Sequence, residues 1–185
     1  YYALPKESVV TKWCLLLLGF GLLFTGLGFI KTSAYTLVSS MHVAAYAGYH
    51  PLLFLGIGFV LTSIIQSSSA TMAITMSVLI TGAITLQDGM AVALGSEVGT
   101  TIKVVLAAMG GSADKKRVAL GNFLFNLIST ILFMFLLQPM YTLISLIWQV
   151  KSPTISLVIF QSIVNFAGIV LFLPILSRMG NWLKK

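Results

Sequence analysis

Gln66-Ser67-Ser68-Ser69 places four polar side chains at the centre of an apolar stretch, with Thr71 and Thr75 following. Polar groups cannot sit in hydrocarbon without partners, so this run has to face protein or water. Helix ends expose unpaired amides and carbonyls. An N-terminal end favours an anion, and unwound carbonyls with hydroxyls favour Na⁺. These residue types therefore suit a hard cation together with an oxyanion. Ser/Thr-mediated helix packing is the competing reading. Three serines in succession cannot all face one neighbouring helix, which weighs against it. A second interruption, Gly95-Ser96-Glu97-Val98-Gly99-Thr100-Thr101, repeats the chemistry. Its glycines permit backbone geometry that other residues resist. Thr100 and Thr101 offer hydroxyls and, at a break, freed amides. Paired discontinuous helices are a sequence pointer to a transport site.

Glu97 and Lys103 are the charges expected at membrane depth. Intramembrane charges are costly and point to function. Glu97 is read either as a cation-binding or titrating group or as a structural partner. Lys103 is read either as attracting an anion or neutralising Glu97, or as snorkelling. Their six-residue separation puts them on different faces of a continuous helix. His50, before Pro51, is expected at an interface, and Gln161 and Asn165 are expected to bond neighbouring helices. Ser112-Ala113-Asp114-Lys115 fits an S-x-x-K pattern but has no companion motif, so it reads as a solvated loop. No P-loop, G-x-S-x-G or H-E-x-x-H occurs, so no carrier of enzymatic chemistry is visible and no enzyme is expected.

The elements that must position these residues are membrane helices. Of 185 residues, 58% are hydrophobic and only 8% charged, against roughly 25% charged in a soluble domain. The mean hydropathy is +1.01, and lipid has to solvate much of the surface. The net charge of +7 comes from dispersed basic residues, which excludes a nucleic-acid binder with its dense basic patch. The single cysteine, Cys14, excludes an internal disulfide and a Cys-based zinc site, so no metal other than sodium is expected. Trp13–Ile30 reads as a span, and residues 31–50 as an interfacial segment. Residues 51–84 read as two arms of about 15 residues around the polar centre, short for a crossing and suited to a re-entrant hairpin; two tight full spans are the alternative. Residues 87–109 read as a broken helix and 110–117 as a basic loop. Ala119–Leu137 reads as a clean span, residues 140–149 as a short continuation and Ile155–Leu176 as the last span. Four crossings put Lys6, Lys12, Lys115, Lys116, Arg117, Arg178, Lys184 and Lys185 on one side and Lys31 and Lys151 on the other. By the positive-inside rule both termini are cytoplasmic, and the hairpin enters from outside.

Three segments, in order, resemble the type II sodium–phosphate cotransporters and their bacterial relatives. Gln66-Ser67-Ser68-Ser69 is similar to the family's QSSS signature. Residues 94–101 are similar to its LG(S/A)NIGTT segment, and 119–126 to its A-L-x-H-x-x-F-N stretch. The resemblance covers roughly residues 50–175 and matches the second of two repeats of opposite topology. It implies that Gln66, Ser67, Ser68 and Ser69 line the phosphate site. It also implies that Gln66, Ser67, Ser68, Thr100 and Thr101 hold sodium. Asn126 is implied either as a supporting contact or as an interhelical hydrogen bond. Glu97 stands where the family usually has Asn, and Asn122 where it often has His, which opens the question of ion stoichiometry.

The expected fold is all-α: a polytopic transmembrane bundle with a re-entrant hairpin and a broken helix, one half of an inverted-repeat transporter. Residues 1–185 form one transmembrane domain. Because residue 1 is Tyr and no first repeat is present, the chain is expected to come from a longer one. The second inverted repeat would come from that chain or from a partner subunit. The expected function is sodium-coupled movement of inorganic phosphate across the cell membrane by alternating access, with Na⁺ as coupling ion and no organic cofactor. Transport of another small ion on the same scaffold, and a non-transporting membrane scaffold, are the alternatives.

Overall fold

The computed structural model describes residues 8–40, 50–148 and 152–175. Tyr1, the basic residues Lys6, Lys151, Arg178, Lys184 and Lys185, and residues 41–49 of the segment expected at the interface lie outside the described residues. Seven α-helices follow in order: α1 Val9–Ser40, α2 Pro51–Ile65, α3 Ser68–Ile80, α4 Leu86–Ala108, α5 Ala113–Phe135, α6 Leu137–Trp148 and α7 Pro153–Phe172. A single 3₁₀ turn, Leu173–Ile175, ends the described chain. Among the described residues no strand occurs. Among the described residues four helical stretches are long and apolar enough to cross a membrane: Val9–Ile30, α4, α5 and α7. This matches the four crossings read from the sequence. The fold is an all-α membrane bundle.

α4 is the central helix. More than half of its span is buried by protein, against about a third for α5 and less for α7. Met90, Leu94, Ile144, Leu157 and Phe160 form the centre of the core, drawn from α4, α6 and α7. A Thr85–Asp88 capping box fixes where α4 starts. The Thr85 N–H donates to Asp88 Oδ2 (2.8 Å), and the Asp88 N–H donates to Thr85 Oγ1 (3.2 Å).

The neighbours of α4 can be oriented from their contacts. Gly58 meets Val92, Gly95 meets Leu55 and Phe59, and Gly99 meets Phe59 and Thr62, so α2 runs parallel to α4. α3 returns antiparallel, with Thr75 beside Gly89. α5 is also antiparallel: Thr130 Oγ1 donates to the Leu94 carbonyl (3.1 Å), and just past the end of α5 Gln138, on α6, accepts from Gln87 Nε2 near the start of α4. α7 runs parallel to α4, with Leu157 near Gly89 and Gln161 on Glu97. At 1.5 Å per residue α4 is about 35 Å long, whereas α2 and α3 are each only about 20 Å. The turn between them at Gln66–Ser67 therefore falls a few residues beyond the level of Gly99, and α4 runs on past it.

Four expectations need correction. α4 is one continuous helix of 23 residues and has no break at Gly95–Thr101. The polar side chains there satisfy themselves on their own helix. Ser96 Oγ donates to the Ala93 carbonyl (2.8 Å), Thr100 Oγ1 to Glu97 (2.6 Å) and Thr101 Oγ1 to Val98 (2.6 Å). The glycines serve contact instead of unwinding. A Cβ on Gly95 would lie 2.0 Å from the Leu55 carbonyl oxygen, and one on Gly99 2.8 Å from that of Phe59. The first crossing ends at Ile30 as read, but its helix does not. Residues 31–40 contain no Gly or Pro, and Thr32 and Thr36 bond back to Gly28 and Thr32, so the helix continues to Ser40. The basic residues Lys115, Lys116 and Arg117 belong to the first turns of α5, leaving only residues 110–112 as a short connection. Finally, the span ends at Phe135. Pro139 has no N–H to give the Phe135 carbonyl, and the chain turns at Leu136 before α6.

Candidate functional site

The turn between α2 and α3 is built by two residues of the polar run. Gln66 ends α2 in the left-handed conformation (φ 58°, ψ 25°), its N–H donating to the Thr62 carbonyl (2.7 Å). Among the described residues it is the one non-glycine with positive φ. Such a conformation costs an L-residue about 1 kcal/mol. Ser67 then caps α3, its Oγ accepting from the Ala70 N–H (3.3 Å). The amides of Ser68 and Ser69 thus open α3 and carry the positive end of its dipole.

Behind the turn, buried hydroxyls tie the arms together. Thr62 Oγ1 of α2 donates to Thr71 Oγ1 of α3 (2.8 Å), and Thr71 Oγ1 donates to the Ser67 carbonyl (3.2 Å). Thr75 Oγ1 donates to the Thr71 carbonyl (2.8 Å). Thr62 and Thr71 are fully buried. Thr71 and Thr75 therefore support the turn from within the protein and do not face water.

In front of the turn lies a cavity of about 350 Å³ between α3 and α7. Its polar lining is Ser68, Ser69, Gln161 and Ser162, and Met72, Ala73, Met76 and Val158 form the apolar remainder. Gln161 Nε2 also donates to Glu97 Oε1, so one α7 side chain touches both the cavity and the carboxylate of α4. Asn165, one turn further along α7, lies beside the same carboxylate. Three hydroxyls and one amide thus line the space, and the Glu97 carboxylate stands behind that amide, a donor set suited to a hard cation and an oxyanion.

The sequence-derived candidates divide into groups. Ser68 and Ser69 line the cavity and Glu97 adjoins it through Gln161. Gln66 is exposed and Ser67 partly buried at the turn itself. The hydroxyls of Thr100 and Thr101 are turned onto their own helix, and Thr101 is fully buried. Neither threonine lines the cavity that holds the serines. Asn126 is buried, and its Nδ2 donates to the Asn122 carbonyl (2.9 Å) and Oδ1 (3.3 Å), so these partners lie in its own helix. Lys103 is exposed and makes no ion pair with Glu97; among the described residues the ion pair seen is Arg117–Asp114 (3.0 Å). Sequence reasoning did not place Gln161, Ser162 or Asn165 in the site. A glutamine and an asparagine four residues apart on one face of an apolar span was the available signal.

No solved structure matches the chain. Over 121 residues it is 36% identical to an uncharacterized protein, YqeW, of Bacillus subtilis (strain 168). That alignment takes in 64% of this chain, and the chain spans 38% of the relative's length. The family model described as Na+/Pi-cotransporter matches residues 40–169. Motif order, helix count and this match agree: the chain is a multi-pass membrane protein and belongs to the Na+/Pi-cotransporter family.

Proposed function

We propose that this chain contributes one half of the translocation pathway of a sodium-coupled transporter of inorganic phosphate. The observation that carries the reading is the α2–α3 turn, which presents the N-terminus of α3 and the Ser68 and Ser69 hydroxyls to a largely apolar cavity against α7 whose polar edge is Ser68, Ser69, Gln161 and Ser162. A phosphate there would accept from backbone amides and hydroxyls at the positive end of a helix, the arrangement that favours oxyanions. Gln66 and Ser67 supply further oxygens at the turn for Na⁺. Na⁺ offsets the charge of the phosphate, so each ligand raises the affinity for the other. Thr100 and Thr101 join the sodium shell only if their hydroxyls rotate away from the Glu97 and Val98 carbonyls, and Asn126 supports α5 beneath them. Lys103, exposed beyond the turn, attracts phosphate towards the site.

α2 and α3 are too short to cross a hydrocarbon core of about 30 Å. Together they are a re-entrant hairpin with its tip inside the membrane, entering from the outer side. The termini are cytoplasmic, and a second inverted repeat, from the same longer chain or a partner subunit, closes the site. Rocking of the two repeats gives alternating access.

The test is uptake of labelled phosphate by proteoliposomes of the full-length protein, with Na⁺ or K⁺ outside. Uptake that requires Na⁺ is expected, and equal uptake in both salts rejects sodium coupling.

A further inference from the structure

Among the described residues Glu97 is the one acidic side chain in the middle of the bundle, and none of them balances its charge. The helices that pack on α4 carry no counter-charge at this level. Residues 51–65 of α2, 68–80 of α3, 137–148 of α6 and 153–172 of α7 contain no Asp, Glu, Lys, Arg or His. The charged residues of α5, Asp114 to Arg117, sit at its start, and from Val118 to Phe135 it has none. On α4 itself, Asp88 is held in the capping box at the far end. Lys103 is exposed, about 120° round the helix and about 9 Å further along. What the Glu97 carboxylate accepts from is a neutral amide on α7, Gln161, with a second neutral amide, Asn165, beside it one turn on.

A carboxylate placed inside a membrane bundle without a cationic partner is costly and points to function, and a bound cation would balance its charge. The surroundings supply the rest of a coordination shell. A half-turn of a side-chain amide exchanges its NH₂ for its carbonyl oxygen at little cost in shape. Glu97, Gln161 and Asn165 can therefore present carboxylate and amide oxygens to one point. The Gln161 side chain carries this point to the cavity edge, where Ser68, Ser69 and Ser162 add hydroxyls.

On these grounds we propose that Glu97, Gln161 and Asn165 form a Na⁺ subsite between α4 and α7, separate from the α2–α3 turn and reached through the Ser68–Gln161 cavity. It rests on the sodium-coupled reading above and adds one cation to it. The subsite links two membrane spans, so its occupation favours the arrangement in which α7 and α4 are drawn together beside the phosphate. A neutral side chain at position 97 would leave the turn's oxygens in place and remove this ion alone.

The full-length protein in nanodiscs is titrated with NaCl at constant ionic strength, balanced with KCl, and its thermal unfolding midpoint recorded without phosphate. In the parent protein the midpoint is expected to rise with Na⁺. In Glu97→Gln the half-saturating Na⁺ concentration should rise by about tenfold or more, the loss expected when a charged ligand is removed. Glu97→Asp, which keeps the charge, should retain most of the response, and Gln161→Met should weaken it. In proteoliposomes the steepness of phosphate uptake against Na⁺ should fall by about one ion in Glu97→Gln. An identical Na⁺ response in parent and Glu97→Gln overturns the subsite, as does a parent midpoint indifferent to Na⁺. The first result leaves Na⁺-driven uptake standing, whereas absence of that uptake with an intact Na⁺-dependent midpoint counts against the transport reading and not the subsite.

Discussion

At the scale of single residues, the α2–α3 turn separates what the fold needs from what the site needs. Gln66 occupies a left-handed position that glycine would fill with less strain. A glutamine at this position is explained if the side chain itself is used. Gln66→Gly is therefore expected to keep stability within about 1 kcal/mol of the parent, while Na⁺-dependent uptake falls steeply. Thermal unfolding and uptake measured on one preparation check both halves, and undiminished uptake would remove Gln66 from the site. Ser67→Ala should cost about 1 kcal/mol through loss of the α3 cap. Ser69→Ala, at an exposed position without a cap role, should leave the midpoint unchanged and weaken phosphate binding. The polar run was legible in the sequence, because four consecutive polar residues in an apolar stretch are too costly in hydrocarbon to be incidental. Gln161 and Asn165 did not stand out. A lone amide in a span serves helix packing as readily as ligand binding, and only the approach of α7 to Glu97 distinguishes the two.

At the scale of elements, the α2–α4 seam explains why the expected broken helix is whole. Gly95 and Gly99 were legible as departures from an ordinary apolar helix, but glycine in a span serves two ends. One is unwinding; the other is close approach of two backbones, for which Gly-x-x-x-Gly is the known pattern. Gly95-Ser96-Glu97-Val98-Gly99 has that spacing, and Gly58 on α2 completes the contact. The deciding fact, that α2 lies parallel against α4, is tertiary and not carried by local sequence. Gly95→Ala puts a methyl group into the Leu55 carbonyl and should destabilise the protein by about 1–3 kcal/mol. Gly56→Ala, whose added Cβ meets nothing within 4 Å, should be neutral or slightly stabilising. Comparing the two midpoints tests the seam, and equal effects would contradict it. The short arms α2 and α3 were legible from length alone, as was the turn at Gln66–Ser67. The end of α1 was not, since residues 31–40 are polar yet carry no helix breaker.

At the scale of the whole molecule, composition and the spacing of apolar runs were enough to read an all-α membrane bundle with four spans. The proposed orientation rests on the distribution of Lys and Arg and is open to labelling. In a Cys14→Ser background, a cysteine at Ser112, between α4 and α5, should react with an impermeant maleimide only from the cytoplasmic side. One at Ala83, between α3 and α4, should react only from outside. The reverse pattern would invert the topology and the proposed entry side of the hairpin. The central claim is that the turn of the short helical pair and the facing side of α7 hold phosphate together with Na⁺. The most direct test is equilibrium binding of labelled phosphate to the purified full-length protein in Na⁺ and in K⁺, for the parent and for Ser68→Ala with Ser69→Ala. Binding that needs Na⁺ and is lost in the double variant, with unfolding midpoint retained, is the predicted result. Parent-like Na⁺-dependent binding in the double variant would contradict the account.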